Sequence, residues 1–249
     1  MSGTTANLPV ADLERLATLE RLATDAASDL DGASAHEILQ WATQTFGDRF
    51  CVLSSMGDAV VASLAAKAKP GVDVVFLDTG YHFAETYAYR DRIASEWRLN
   101  LINLLPAKTV AEQESERGLL YQSAPDECCR LRKVEPLFKA VANYRVWITG
   151  LRKEQAKSRA SLEEAALFTL PGGKQVLKLA PLAEWTTRDV WYACESLAIP
   201  LLPLYERGYS SIGCEPCTTL PLDPNDPRSG RWAGRKVECG IHIQAAPLQ

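Results

Sequence analysis

The sequence lacks any long hydrophobic run, and none approaches the ~18 apolar residues that a membrane-spanning helix requires. We therefore expect no contact with a membrane. Residues 1–9 contain no basic segment followed by an apolar core, which argues against a secretory signal and favours a cytoplasmic location. An excess of positive charge is also missing, because the net charge is −4, so we expect no nucleic-acid partner. Any anion site must then be a local cluster of Arg and Lys.

Internal repeats and low-complexity segments are absent too, whereas cysteine is well represented, with seven residues. In the reducing cytoplasm such a number indicates metal binding or catalysis rather than a disulfide framework. The 249 residues, 47% of them hydrophobic and 23% charged, suffice for one large globular domain with a full core.

The order of apolar runs predicts an α/β fold with a doubly wound, mostly parallel sheet. Helical spacing covers residues 11–46, and short buried strands then alternate with helices. Strands are predicted at residues 50–53, 72–77, 100–104 and 145–149, helices at residues 59–68, 83–97, 125–143 and 186–197, a loop at residues 118–126, and a hairpin at residues 167–179. In such a sheet, ligands bind outside the carboxyl ends of the strands.

Three segments that follow predicted strands carry the residue types of an anion site. Small polar residues at positions 54–58 lie between a strand and a helix N-terminus, where backbone N–H groups and the helix dipole attract anions. Residues 78–80, Asp-Thr-Gly, follow the second strand, and a basic loop at residues 150–159 follows the fourth. Because these strand ends meet at one edge of the sheet, the three segments can share one ligand.

Two pairs of cysteines stand out by their spacing. Cys214 and Cys217 form a Cys-x-x-Cys, and Cys128 and Cys129 are adjacent. The first pair is compatible with a redox dithiol, half of a zinc site or half of an iron–sulfur cluster. A thioredoxin-type dithiol should open a helix after an early strand, whereas this pair lies late in the chain. Two adjacent cysteines can bind different irons of a cubane more easily than they can bind one tetrahedral ion. The residues therefore favour a [4Fe–4S] cluster, and a zinc site remains an alternative.

The remaining cysteines differ from these pairs. Cys239 lies near Lys236 and His242 and has no partner at ligand spacing, which makes it a candidate nucleophile. Cys51 and Cys194 have apolar neighbours, so we expect them in the core.

A series of ordered motifs runs from about residue 50 to residue 242. They are Leu-Asp-Thr-Gly-Tyr-His-Phe at 77–83, Cys-Cys-Arg-Leu-Arg-Lys at 128–133, Ile-Thr-Gly-Leu-Arg at 148–152, Trp-Thr-Thr-Arg-Asp-Val-Trp at 185–191, Leu-Tyr-Glu-Arg-Gly-Tyr-Ser-Ser-Ile-Gly-Cys at 204–214 and Glu-Cys-Gly-Ile-His at 238–242. With these motifs the chain resembles the assimilatory sulfonucleotide reductases, and most closely those that reduce adenosine 5′-phosphosulfate (APS) and carry a [4Fe–4S] cluster. The resemblance implies a fold of the adenine-nucleotide α-hydrolase type.

The same resemblance implies roles for individual residues. Cys239 would be the catalytic nucleophile, and one [4Fe–4S] cluster per chain would be bound by Cys128, Cys129, Cys214 and Cys217. The substrate would be bound by Ser54, Ser55, Gly57, Asp58, Leu77, Thr79, Gly80, Lys133, Gly150, Arg152, Arg159, Arg228, Arg231 and His242. We expect residues 1–47 to be helices packed on the main domain, residues 48–220 to bind nucleotide and cluster, and residues 221–249 to be a flexible tail that carries Cys239.

The implied reaction is the reduction of APS to sulfite and AMP, in sulfate assimilation and cysteine biosynthesis. Cys239 would attack the sulfur of APS to give a cysteine S-sulfonate, and thioredoxin, or a glutaredoxin-like reductant, would release sulfite. We also expect a homo-oligomer. The alternatives are a reductase for the 3′-phosphorylated substrate (PAPS), an ATP-cleaving tRNA thiolation enzyme, and a non-catalytic zinc or redox-sensing module. Residues 54–58 depart from the Ser-Gly-Gly-x-Asp-Ser of the ATP-cleaving relatives, which argues against the second of these.

Overall fold

A single six-stranded sheet organises the chain. In this computed structural model, residues 10–236 and 238–242 are described, with side chains from residue 19 onward. The strands are Phe50–Leu53 (β1), Asp73–Leu77 (β2), Asn100–Leu104 (β3), Val146–Thr149 (β4), Ala165–Thr169 (β5) and Gln175–Leu179 (β6). Their order is β3-β2-β1-β4-β6-β5, and every neighbouring pair is parallel except β5 and β6. The predicted doubly wound, mostly parallel sheet is therefore confirmed.

Helices cover both faces of this sheet. They are Val10–Asp29 (α1), Ala35–Phe46 (α2), Val60–Ala68 (α3), Ala84–Glu96 (α4), Val110–Arg117 (α5), Leu120–Ser123 (α6), Pro125–Cys129 (α7), Glu135–Val141 (α8) and Thr187–Ser196 (α9). Within the described ranges, no helix combines the length and apolar character needed to span a bilayer.

Alternate residues of the central strands point into two separate cores, as the period of a strand requires. Val52 of β1 and Ile148 of β4 pack with α1, α2, α3 and α9 on one face. Leu53 and Trp147, their neighbours along the chain, pack with α8 on the other face. Each fully buried side chain of this size contributes about 1.5–3 kcal/mol to folding. The two cores hold the strand ends in fixed positions, which is what a binding site at that edge requires.

Two helix starts follow the local chemistry of the sequence closely. Ser34 accepts a hydrogen bond from the Glu37 backbone N–H while the Glu37 carboxylate accepts one from the Ser34 N–H, which completes a capping box. Thr186 and Asp189 do the same at the start of α9. In both boxes the cap residue and its acidic partner are three positions apart in the sequence.

The region around the first cysteine pair departs from the predicted structure. The expected continuous helix at residues 125–143 is divided into α7, a π-helical turn at Arg130–Val134, and α8. The predicted loop before it contains α6. The π turn accompanies a buried guanidinium, because Arg132 donates from Nε to the Thr79 carbonyl oxygen at 2.5 Å and from Nη1 to Gln113 Oε1 at 3.0 Å. Such long-range polar contacts override local helix periodicity.

Candidate active site

A cleft of about 520 Å³ opens at the carboxyl ends of β1, β2 and β4. This is the edge at which doubly wound sheets bind ligands. The cleft is lined by thirteen residues with a predicted role: Ser54, Ser55, Gly57, Asp58, Leu77, Lys133, Gly150, Arg152, Arg159, Arg228, Arg231, Cys239 and His242. The residues predicted from the sequence come from six separate segments, and the fold places them around one cavity.

The turn at residues 54–58 forms the floor of the cleft beside the start of α3. Ser54 is held by its backbone N–H, which donates to the Val75 carbonyl oxygen at 3.1 Å, and its Oγ accepts from the Met56 N–H at 3.1 Å. Asp58 Oδ1 accepts from the Val60 N–H at 3.1 Å. Ser54, Ser55, Gly57 and Asp58 of this turn all line the cleft next to the N-terminus of α3. This arrangement suits an anionic or nucleotide ligand.

One wall of the cleft is fixed by an ion pair between Asp58 and Arg152. Arg152 Nη1 lies 3.7 Å from Asp58 Oδ2, and its Nη2 donates to Thr187 Oγ1 at 3.3 Å. Burial raises the pKa of Asp58, although the Val60 N–H and Arg152 both act in the opposite direction. Gly150 completes this wall, and a Cβ there would meet Val61 Cγ1 at 3.1 Å. Close backbone approach at this point therefore favours glycine.

A further part of the cleft lining carries a cluster of positive charge that is paired with one carboxylate. Arg159 donates from Nε and Nη2 to the two carboxylate oxygens of Glu238, both at 2.8 Å. Ser158 Oγ donates to the same carboxylate at 3.2 Å, and Arg228 Nη2 lies 3.5 Å from it. Burial alone would raise the pKa of Glu238, but the contacts with Arg159, Arg228 and Ser158 lower it overall. Glu238 was not among the predicted site residues.

Arg231 links this wall to the second cysteine pair. Its Nε donates to the Cys217 carbonyl oxygen at 3.3 Å, and its guanidinium carbon lies 4.5 Å from the centre of the Trp232 ring. A Cβ on Gly213 would overlap the Arg231 guanidinium. Glycine at position 213 is thus a steric requirement for the position of Arg231.

The predicted tail is described at residues 221–236 and 238–242, and its last described residues, 238–242, lie against the sheet edge. Cys239 is half-buried and lines the cleft. Ile241 packs into the core with Leu53 and Leu77, and the His242 ring stacks on Trp147 with a centroid distance of 5.6 Å. Burial, reinforced by Lys178, Arg159 and Arg228, places the pKa of His242 well below its usual range, so the imidazole is neutral at neutral pH. Flexibility of the tail stays a prediction.

The four cysteines predicted to bind a cluster line a second, narrow cavity beside the cleft. Cys128, Cys129 and Cys214 are buried, Cys217 is half-buried, and all four are free thiols. Burial and the neighbouring thiols raise the pKa of Cys128 to about 12, whereas the pKa of Cys214 is lowered, because Lys133, Thr79 and Arg231 outweigh the effect of its burial. Among the described residues, no three His, Cys, Asp or Glu donors are placed to hold a single metal ion.

The four cysteines supply the sulfur donors that a metal site of either kind would use. A tetrahedral zinc binds four donors at about 2.3 Å, and a cubane takes one thiolate on each of four irons.

Hydrogen bonds hold the second cysteine pair at this cavity. The Cys217 N–H donates to the Cys214 carbonyl oxygen at 3.0 Å, and the Glu215 N–H donates to the Tyr81 carbonyl oxygen at 2.7 Å. Thr79 Oγ1 lies 3.3 Å from Cys214 Sγ. The pair is therefore attached to the loop that follows β2.

Lys133 lies between the two cavities and lines both. Burial alone would lower the pKa of Lys133, but the thiol groups of Cys214, Cys239 and Cys129 outweigh it and raise the pKa. The ammonium group is therefore charged at neutral pH and can offset negative charge on either side.

Two predicted substrate residues lie elsewhere. Thr79 and Gly80 do not line the cleft: Thr79 faces Cys214, and the Gly80 N–H donates to Asp78 Oδ1 at 3.0 Å. Both follow β2 at the ligand edge of the sheet, and their role in substrate binding stays a prediction. Cys51 and Cys194 are buried in the two cores, as predicted.

Sequence reasoning also missed two aromatic residues beside the cleft. His82 Nε2 lies 2.8 Å from the Leu77 carbonyl oxygen, and burial, with help from Lys133, lowers its pKa to about 4. Trp232 lines both cavities and stacks with three cationic side chains. His82 belongs to the motif at residues 77–83, which could have indicated its importance. No motif or spacing in the sequence indicates a role for Trp232.

The fold and the cleft define a nucleotide-binding α/β domain with a cysteine-lined cavity at its ligand edge. Residues 49–220 match the phosphoadenosine phosphosulfate reductase domain, and the chain belongs to that family, the sulfonucleotide reductases. The resemblance drawn from the sequence motifs is thereby confirmed.

Three individual proteins are similar to this chain over most of its length. The chain is 50% identical over 226 residues to the adenosine 5′-phosphosulfate reductase of Streptomyces coelicolor, covering 90% of this chain and 94% of that protein. It is 44% identical over 243 residues to the protein of the same name from Mycobacterium tuberculosis, covering 90% and 94%. The phosphate complex of the phosphoadenylyl-sulfate reductase of Candida auris superposes with a TM-score of 0.67 at 28% identity, covering 79% of this chain and 96% of that one.

A more distant structural neighbour shares the fold alone. The FMN adenylyltransferase of Candida glabrata superposes with a TM-score of 0.54 at 15% identity, covering 93% of this chain and 77% of that one. Its activity carries no argument for this protein.

Proposed function

We propose that this protein reduces adenosine 5′-phosphosulfate to sulfite and AMP in sulfate assimilation and cysteine biosynthesis, with Cys239 as nucleophile. The observation that carries the proposal is the position of Cys239, which lines the same cleft as the turn at residues 54–58 and five Lys and Arg side chains. The names of the relatives that are about half identical over nearly the whole chain support the same substrate.

The shape of the cleft suggests how the nucleotide lies. The adenosine would contact the ends of β1, β2 and β4 through the backbone at Leu77 and Gly150, where side chains are short or apolar. The phosphosulfate would then extend towards Arg159, Arg228 and Arg231. Guanidinium groups suit this end because each can bind phosphate or sulfate in a bidentate manner.

Electrostatics explain why the nucleophile needs several cations. A thiolate that approaches an anionic sulfate group at ~4 Å is repelled by roughly 4 kcal/mol when the effective dielectric constant is near 20. Lys133 and the three arginines offset this repulsion and stabilise the negative charge that develops on the departing AMP. A neutral His242 adds a hydrogen-bonding group without adding charge.

The proposed reaction has two steps. In the first, the Cys239 thiolate attacks the sulfur of APS, an S–S bond forms, and the S–O bond to AMP breaks with its electron pair leaving on AMP. In the second, a thiolate of a thioredoxin-class dithiol attacks Cys239 Sγ and sulfite leaves. The second thiol of the reductant then displaces Cys239, so that the reductant becomes a disulfide and the sulfur of the substrate is reduced.

We also propose that Cys128, Cys129, Cys214 and Cys217 hold one [4Fe–4S] cluster per chain. When bound, the cluster would supply a structural and electrostatic centre next to Lys133. Iron and sulfide analysis of anaerobically purified protein, with its absorption spectrum, tests this assignment. About four irons per chain and a brown sample are expected, and a colourless sample that contains zinc would contradict it.

The proposal also includes the location of the protein, its reductant and its assembly state. We infer a cytoplasmic location, thioredoxin or a glutaredoxin-like protein as reductant, and a homo-oligomer, with neither membrane nor nucleic acid as partner. Size-exclusion chromatography with light scattering tests the assembly state. We further propose that residues 1–47 pack on the main domain, residues 48–220 bind nucleotide and cluster, and residues 221–249 carry the nucleophile, although residues 1–9, 237 and 243–249 lie outside the described part of the chain.

Comparative turnover tests the substrate directly. Sulfite release is measured with APS and with PAPS at matched concentrations, using a thioredoxin system as reductant. We expect APS to be turned over at least tenfold more efficiently. A tenfold preference for PAPS would overturn the substrate assignment, and release of pyrophosphate from ATP would favour the ATP-cleaving alternative.

A further inference from the structure

Glu238 occupies the part of Arg159 that an anionic substrate needs most. A guanidinium group can bind an anion in a bidentate manner through Nε and one terminal nitrogen. In Arg159 both of these nitrogens donate to the Glu238 carboxylate at 2.8 Å. The other terminal nitrogen, Nη1, donates to Gln155 Oε1. No second anion can use the bidentate edge of Arg159 while Glu238 holds it.

The carboxylate is held by more than one contact, and its surroundings are largely shielded from water. Arg228 Nη2 lies 3.5 Å from Glu238 Oε2, and the exposed fractions of the Arg159, Glu238 and Arg228 side chains are only 11%, 13% and 16%. Ion pairs at such depth persist better than exposed ones, because water and salt screen them less. Glu238 thus behaves as an anion built into the site.

Glu238 also directly precedes Cys239 in the chain. Adjacent Cα atoms are about 3.8 Å apart, so any movement of the Glu238 backbone moves the nucleophile with it. Beyond Cys239 the segment is fixed by Ile241 in the core and by His242 on Trp147. In chain order, the ionic contact of Glu238 therefore lies before Cys239, and the contacts of Ile241 and His242 lie after it.

We propose that Glu238 is a positioning residue that competes with the substrate, so that the phosphosulfate group displaces its carboxylate from Arg159 and Arg228 and thereby resets the position of Cys239. The proposal rests on the proposed function, because it takes the phosphosulfate as the incoming anion. When AMP and sulfite have left, the carboxylate returns to the arginines. The exchange couples occupation of the anion site to the position of the nucleophile.

The exchange predicts an effect of unusual sign. Replacing a residue that merely supports the site should weaken nucleotide binding. Removing the charge of a competing carboxylate should instead tighten it, because the arginines no longer have to leave a charged partner. Glu238→Gln keeps the shape of the side chain and removes the charge, whereas Glu238→Asp keeps the charge and shortens the reach.

Calorimetric titration with APS tests this sign, using full-length protein that carries Cys239→Ser so that no chemistry follows binding. We expect APS to bind the Glu238→Gln variant about tenfold more tightly than the Cys239→Ser parent. The Glu238→Asp variant should also bind APS more tightly than the parent, but by a smaller factor. Glu195→Gln, at an exposed position on α9, is the matched control and should leave the affinity unchanged. Hydrogen exchange of the peptide that contains residues 238–242 provides a second readout. It should accelerate on adding APS to the parent, and it should already be fast in Glu238→Gln alone.

Two failures are distinguishable. If the parent binds APS but Glu238→Gln binds it equally or more weakly, with no change in exchange of that peptide, the competition is refuted while the proposed function stands. If neither protein binds APS, the proposed function is refuted, and the proposed competition between Glu238 and the substrate is refuted with it. Should Glu238→Gln not fold, the affinity of Glu238→Asp decides, because weaker binding than the parent would contradict competition.

Discussion

Replacing Arg159 by alanine removes the strongest anion-binding edge of the proposed substrate clamp. Arg159 has an exposed side-chain fraction of 11%, and its Nε and Nη2 together grip a carboxylate at 2.8 Å. In the proposed complex this edge binds the phosphosulfate group. The variant therefore loses two charge-assisted hydrogen bonds to the substrate.

The size of the loss follows from the number of contacts and their surroundings. Each hydrogen bond to a charged group contributes about 1.5–3 kcal/mol. Part of this sum is recovered, because Arg228, Arg231 and Lys133 still line the cleft and the pairing with Glu238 no longer has to be broken. A net loss of about 2–3 kcal/mol corresponds to a fall in kcat/KM of roughly thirty- to a hundredfold, at 1.4 kcal/mol per factor of ten.

Initial rates of sulfite release from APS, with a thioredoxin system in excess, give this ratio. Arg159→Lys keeps the charge but loses the bidentate edge, so we expect an intermediate loss of about tenfold. Arg188→Ala, at an exposed position on α9, should behave as the parent. A folded Arg159→Ala protein whose kcat/KM lies within threefold of the parent would refute the assignment of Arg159 to the substrate.

Three further predictions concern buried charge, close packing and the cysteines. Burial and the nearby Arg159 lower the pKa of Lys178 to about 8 from 10.5, so the charged ammonium destabilises the fold fully below pH 8 and progressively less as the pH rises to 10.5. Lys178→Met should therefore be more stable in urea than the parent by about 2 kcal/mol at pH 7, with the gain shrinking by pH 10, and a gain independent of pH would contradict this cause. Gly213→Ala should reduce kcat/KM at least tenfold, because its Cβ displaces the Arg231 guanidinium, and unchanged kinetics would show that Arg231 is dispensable. Cys217→Ser should lower the iron content of anaerobically purified protein, whereas Cys51→Ser, in the core, should retain it, and equal iron in both would count against the cluster ligands.

The parts of the fold that sequence predicts well are those that depend on local burial. The β1 residues Phe50–Leu53 form an unbroken apolar run because both faces of a central parallel strand are covered. Helix starts at Ser34 and Thr186 are equally local, since each cap is completed within three residues. The alternation of strands and helices then predicts a parallel sheet, and the turn at residues 54–58 follows a strand and therefore lies at its ligand edge.

The parts that sequence misses depend on partners far along the chain. The π turn at Arg130–Val134 accompanies contacts from Arg132 to Thr79 and Gln113, which no local pattern reveals. Thr79 was assigned to the nucleotide because it follows a strand, but its side chain faces Cys214. Glu238 pairs with Arg159 across 79 positions of sequence, so its role became visible only in the folded chain.

The proposed reaction depends on the covalent step at Cys239. Incubation of the protein with APS in the absence of any reductant, followed by peptide mapping by mass spectrometry, locates the modified residue. We expect one added SO₃ group on Cys239, release of an equal amount of AMP, and no adduct in Cys239→Ser. An adduct on Cys51 or Cys194, or AMP released without any adduct on Cys239, would contradict Cys239 as the nucleophile.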